Sequence, residues 1–162
     1  MNGLGTAIAS KIADLLDCTC EAVATEGGGP TCWCGFYPGL EPSWDYCGEC
    51  SGDVCGMAYV RLVNSFQSTS FPDPIVQIGC ASPLALQLAV GVIRCIPVAE
   101  ENGALPNTQQ MWESSLAMIA DMGAMFTAIC ACPDLNAAIG EYTPVGPQGG
   151  CAGGEWSLWV PL

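Results

Sequence analysis

Between Leu84 and Val98, the residues Leu84, Leu86, Leu88, Val90, Val92, Ile96 and Val98 share one parity, and Ala85, Gln87, Ala89 and Gly91 share the other. A period of two marks a β-strand with one strongly apolar face, because successive Cβ atoms point to opposite sides of the backbone. So long a strand needs partners on its edges, which commits the chain to a sheet. The parity flips near Ile93 and Arg94 and then recovers, which predicts a β-bulge there. A second β-rich run covers Met57 to Ser70, and Pro72, Pro74 and Pro83 punctuate the connection, so the two runs are expected to pair as an antiparallel hairpin. Extended over its whole length, the first run would reach roughly 50 Å at about 3.3 Å per residue, more than a small domain covers with its own helices. The surplus predicts that Leu86, Leu88, Val90 and Val92 contribute to a contact between subunits.

Helical spacing flanks these strands. Leu4, Ile8, Ile12, Leu15 and Leu16 form one stripe, with Thr6, Ser10 and Asp14 opposite, and this first helix is expected to end near Cys18. The main helix, Thr108 to Cys132, has Asn107 as N-cap, Gln110 as its capping-box partner and Pro133 as its stop. Its inner stripe is read as Met111, Ser115, Met118, Met122, Met125, Phe126 and Ile129, joined by Trp112 and Ile119, with Asp121 on the solvent side. Two short strands around Tyr142 and Trp156 follow, separated by a glycine-rich turn. The order α-β-β-α-β-β implies an α+β fold, an antiparallel or mixed sheet packed on the main helix, within a single domain spanning 1–162.

One region escapes this order. Residues 20–56 carry Gly27, Gly28 and Gly29, prolines at 30, 38 and 42, and most of the clustered cysteines, with little periodicity. An irregular insertion of this size has to offset an ordering entropy of roughly 1 to 2 kcal/mol per residue, which calls for a staple. Disulfides joining Cys32 or Cys34 to Cys47 or Cys50 would supply one; structural zinc on Cys32, Cys34, Cys47 and Cys50 is the alternative. Trp33, Phe36, Tyr37, Trp44 and Tyr46 are expected to give the lobe an aromatic cluster of its own, while Cys80, Cys95, Cys130 and Cys132 are expected as buried free thiols.

Charge and residue type narrow the function. Sixteen acidic residues against three basic ones, Lys11, Arg61 and Arg94, give a net charge of −13. Phosphate recognition needs clustered cations, so nucleic-acid binding by attraction is not expected. The chain has no histidine, which removes the ordinary Ser-His and Cys-His nucleophile systems and every His-containing metal site. The glycine clusters lack the Gly-Lys-Ser/Thr ending of a phosphate loop, and Cys47-Gly-Glu-Cys50 leads into a strand where redox motifs lead into a helix. A non-enzyme without a cofactor is therefore expected. Glu113 and Asp121 interrupt the most apolar helix and the N-terminus lacks a basic leader, so neither a membrane partner nor a secretory signal is expected, and synthesis in the cytosol follows.

Several segments carry a resemblance. Tyr142-Thr-Pro-Val-Gly-Pro-Gln-Gly-Gly-Cys-Ala-Gly-Gly-Glu-Trp156 resembles the C-terminal signature of small neck or tail-completion proteins in phages of actinobacteria. The Leu15 to Cys18 helix ending, the Val90-Gly-Val-Ile-Arg-Cys-Ile-Pro97 strand and the helix from Asn107 are similar to that group, and the element order resembles the tail terminators of long-tailed bacteriophages. The resemblance implies a homo-oligomeric, six-fold ring that caps the tail tube and joins the head connector. Its partners would be the major tail tube protein and a connector or stopper protein, its place the virion tail or neck after assembly in the host cytoplasm, and DNA would pass through the ring without specific binding. A head-to-tail stopper or adaptor, or a zinc- or disulfide-stabilised binding module, are the alternatives. The cysteine-rich insertion departs from the terminator pattern.

Overall fold

A computed structural model describes residues 3–44, 47–51, 54–76, 79 and 82–162. Tyr46 and Cys80, both assigned roles above, lie outside the described residues. Helix α1 spans Gly3–Thr25, followed by β1 (Trp33–Tyr37), β2 (Glu49–Ser51), β3 (Val54–Cys55), β4 (Met57–Ser70), β5 (Asp73–Ile75) and β6 (Leu84–Cys95). Helix α2 (Thr108–Ala131), β7 (Ala138–Gln148) and β8 (Cys151–Pro161) complete the chain. The fold is α+β with a mixed sheet in the order β1-β4-β6-β8-β7, with β5 hydrogen-bonded to β4 and a separate β2-β3 pair. The sheet is mixed because β1 runs parallel to β4, whereas each neighbouring pair along β4, β6, β8 and β7 is antiparallel.

The expected hairpin is present, with β4 and β6 paired from Met57↔Ile93 to Gln67↔Leu84. The bulge lies elsewhere than predicted. The β6–β8 ladder runs without a shift from Ala85↔Pro161 to Cys95↔Cys151, and the irregularity falls in β4, between Leu62 and Asn64. The parity flip at Ile93 has a different cause: β6 is the central strand and is covered on both faces. Leu86, Leu88, Val90 and Val92 pack with Ile12, Leu15, Met125, Ile129, Leu158 and Val160 on the helix side, while Ile93 joins Met57, Tyr59 and Cys151 on the other. A strand buried on both faces loses strict alternation.

Two features anchor α2. Asn107 accepts a hydrogen bond from the Gln110 backbone N–H, and the Gln110 side chain accepts from the Asn107 N–H, so the capping box forms as predicted. The buried face, however, consists of Asp121, Ala124, Met125, Ala128 and Ile129. Met111, Trp112, Ile119 and Phe126, placed in the inner stripe above, are exposed, and Asp121, placed in solvent, is 2% exposed. The stripe is rotated relative to the expectation because α2 contacts the sheet mainly through its C-terminal half and leans on α1.

Residues 20–56 are more regular than their composition suggests. Helix α1 continues to Thr25, β1 extends the main sheet, and β2 and β3 form a small hairpin. The expected glycine-rich turn is shorter than its composition suggests: β7 and β8 run through most of it, leaving Gly149 and Gly150 at φ 59° and 79°, a pair of positive values that a tight hairpin turn requires.

Candidate functional site

Three arrangements carry chemistry or recognition: two ion-pair networks, one around a buried carboxylate and one half-buried, a web of disulfides and an apolar helix face. The first network explains the Gly27-Gly28-Gly29 run. Arg94 Nε and Nη2 donate to Asp121 Oδ2 and Oδ1 at 2.5 and 2.8 Å, and Nη2 also donates to the Gly29 carbonyl at 2.6 Å. The Gly28 N–H donates to Asp121 Oδ1 at 2.8 Å, and a Cβ at Gly27 would sit 2.6 Å from that same oxygen. The glycines do cradle an anion, but it is the chain's own carboxylate. A charge buried this deeply is tolerated because its partner is bidentate and its remaining lone pairs are used.

The second network lies on the opposite face of the sheet. Arg61 Nε and Nη2 donate to Glu155 Oε2 and Oε1 at 3.0 and 2.5 Å, and the Tyr59 hydroxyl donates to Glu155 Oε2 at 2.9 Å. Burial, with Glu155 beside it, pushes the Tyr59 phenol far above its ordinary range, and the Glu155 hydrogen bond raises Arg61 further. The Tyr142 phenol is also raised, by burial and then by Asp121. Lys11 Nζ donates to the Asp134 carbonyl. Each Lys and Arg side chain thus has a partner within the fold.

Among the described residues, ten cysteines form five disulfides: Cys18–Cys132, Cys20–Cys34, Cys32–Cys50, Cys47–Cys151 and Cys55–Cys95. Cys32–Cys50 is one of the pairs named above as a staple for the lobe, where spacing left the exact pairing open. The four cysteines nominated for zinc, Cys32, Cys34, Cys47 and Cys50, are divided among three different disulfides and do not converge on one point. Cys95 and Cys132 are cross-linked where buried free thiols were expected, and Cys130 is free but exposed. The reason is reach: the partners of Cys132 and Cys95 lie 114 and 40 residues away, which spacing cannot reveal. The aromatic cluster is also redistributed. Trp33, Tyr37 and Trp44 pack on Met57, Tyr59, Ile93 and Cys151, whereas Phe36 lines an apolar groove with Ile8, Ile12, Leu16 and Leu62 on the α1 side.

The third arrangement was missed. Trp112, Leu116, Ile119, Gly123, Phe126 and Cys130 recur at alternating intervals of four and three along α2, and all are exposed. This is the spacing of a helix-packing seam. By contrast, Leu86, Leu88, Val90 and Val92, expected at a subunit contact, lie at 0 to 2% exposure within the chain's own core. Their strand is not surplus, because β4 and β8 pair with it along its length.

No protein-family model matches this chain, and no curated protein matches it significantly.

Proposed function

We propose that this chain is a structural virion subunit that assembles into a ring at the head–tail junction of a long-tailed bacteriophage, capping the tail tube and meeting the head connector as a tail terminator. The C-terminal Tyr142 to Trp156 segment carries the phage resemblance. The observation that carries self-assembly is the exposed seam of α2, with Trp112 at 58%, Ile119 at 56%, and Leu116 and Phe126 at 43% exposure. Large apolar side chains collected on one face mark a surface that functions covered.

Other features favour a second copy as the cover. Copies with a net charge of −13 repel over most of their surface, yet the only charged residues of α2 are Glu113 and the internally paired Asp121. Sheet extension is a poorer route, since β7, at one edge, contains Pro144 and Pro147, and β1, at the other, has five residues. Helix α2 is also long and apolar enough to cross a membrane. That use would extract Asp121 from its Arg94 pair and place a carboxylate in mid-helix at about 2.5 to 3.5 kcal/mol on insertion scales, so a protein partner is favoured.

Native mass spectrometry tests the reading. The wild type should appear at about six times its chain mass of 16.8 kDa, and a Trp112→Glu/Ile119→Glu variant, altered only at exposed positions, should appear as the monomer. A monomeric wild type, or its flotation with anionic lipid vesicles, overturns the proposal. Co-sedimentation with purified tail tubes distinguishes a terminator from a stopper or adaptor, which would bind the head-side connector instead.

A further inference from the structure

Two disulfides lie side by side where β6 ends and β8 begins. Cys55–Cys95 ties β3 to β6, and Cys47–Cys151 ties the segment before β2 to β8. The Sγ atoms of Cys47, Cys55 and Cys95 all lie within 4.8 Å of one another, and Cys151 Sγ is bonded to that of Cys47. Cys95 and Cys151 are also direct partners in the β6–β8 register, so their side chains leave the same face of the sheet. Four sulfurs are thus gathered in one patch by β6, β8 and the lobe.

Four thiolates around Zn²⁺ at about 2.3 Å each lie roughly 3.8 Å apart, so on reduction each bonded pair has to separate to that spacing, and Cys151 Sγ, carried by Cys47, has to close on the sulfurs of Cys55 and Cys95. The backbone N–H of Cys95 already points at Cys55 Sγ at 3.2 Å, the kind of outer hydrogen bond that steadies a ligand thiolate. No comparable convergence occurs among the nominated Cys32, Cys34, Cys47 and Cys50 set.

We propose that in the reduced chain Cys47, Cys55, Cys95 and Cys151 bind one Zn²⁺ as a tetrathiolate, and that oxidation replaces the metal with the two disulfides. On loading, four thiols release four protons to solvent as four Zn–S bonds form. On oxidation by a small-molecule disulfide, each cysteine gives up one electron and two oxidant molecules take up two each. Two protein S–S bonds form, four small thiolates leave and Zn²⁺ is released. The site would hold the lobe against the sheet in a reducing compartment, before cross-links are stable. It does not depend on ring formation.

The test uses the full chain reduced with a phosphine under nitrogen and titrated with Co²⁺, then Zn²⁺. One equivalent of Co²⁺ should give intense sulfur-to-cobalt charge-transfer absorption and the visible bands of a tetrahedral site, both erased by Zn²⁺. Cys55→Ser/Cys95→Ser should weaken binding by at least about 100-fold, whereas Cys20→Ser/Cys34→Ser, outside the cluster, should bind as the wild type does. No binding by the reduced wild type, or an unchanged spectrum in Cys55→Ser/Cys95→Ser, overturns the proposal. A readout free of variants comes from treating the zinc-loaded wild type with oxidised glutathione. Zinc release should coincide with the appearance of both disulfide-linked peptides, and release while these four cysteines still alkylate overturns it.

Discussion

The two faces of the central sheet are covered by different means. On the helix side, fifteen buried residues among those described form one continuous cluster joining α1, α2 and the sheet. On the lobe side the buried cluster is Met57, Tyr59, Ile93 and Cys151, with Trp33, Tyr37, Trp44 and Cys47 packed against it. Four of the five disulfides involve a cysteine between Cys32 and Cys55. The lobe has too few apolar anchors to offset its ordering, and covalent links that restrict the unfolded chain supply the difference. One sheet thus shows both solutions to the same problem, burial where the sequence is periodic and cross-linking where it is not.

The largest expected effect lies on the helix side. Asp121→Ala removes the counter-charge of the Arg94 guanidinium, which keeps only carbonyl partners, and the acceptor of the Gly28 N–H, and urea unfolding of the oxidised protein should show a loss of about 3 to 5 kcal/mol. A loss under about 1 kcal/mol would mean that this network does not help to hold the helix layer. Next, Cys32→Ser/Cys50→Ser opens a loop with a sequence separation of 18, at an expected cost of about 3 kcal/mol. That cost should vanish when wild type and variant are both measured in reductant. Amide exchange should rise in β1 to β3 and leave α2 and β6 protected; equal loss of protection on both sides would erase the distinction between the faces.

The smallest effect concerns pH. The Tyr59 phenol is raised by burial and by Glu155, so its neutral form is the one the fold favours. A group whose folded pKa exceeds its unfolded value contributes fully below the unfolded value, about pH 10 for tyrosine, and loses that contribution as pH rises further. The Tm of the wild type should therefore fall above pH about 10, and Tyr59→Phe should show a shallower decline. Identical slopes would assign the alkaline loss to other groups.

Much of the main sheet and the start of α2 was legible, because period-two runs and a capping box are local signals. What failed was non-local. Asp121 reads as a surface residue until Arg94, 27 positions away, and Gly28, 93 positions away, are brought to it. The flip at Ile93 reads as a bulge until the second covered face is known. The α2 seam was present in the spacing of Trp112, Leu116, Ile119 and Phe126, but apolar residues at helical intervals look alike whether they face inward or outward. The side that turns in is the one that carries Asp121, Ala124 and Ala128 beside Met125 and Ile129. Cys32–Cys50 was among the pairs named for the lobe, though spacing could not single it out, and the long-range disulfides were not named at all.

The prolines of β7 have a consequence for how this chain behaves when crowded. A β-hairpin of two eleven-residue strands at the margin of a sheet would ordinarily offer its outer backbone as a template for another chain's strand, the first step toward fibrillar stacking. Pro144 and Pro147 each lack a backbone N–H, and a strand that carries two prolines is a poor template for an incoming strand. The prolines act as gatekeepers: at high concentration the sheet edge is a poor starting point for aggregation, whatever the other surfaces of the chain do.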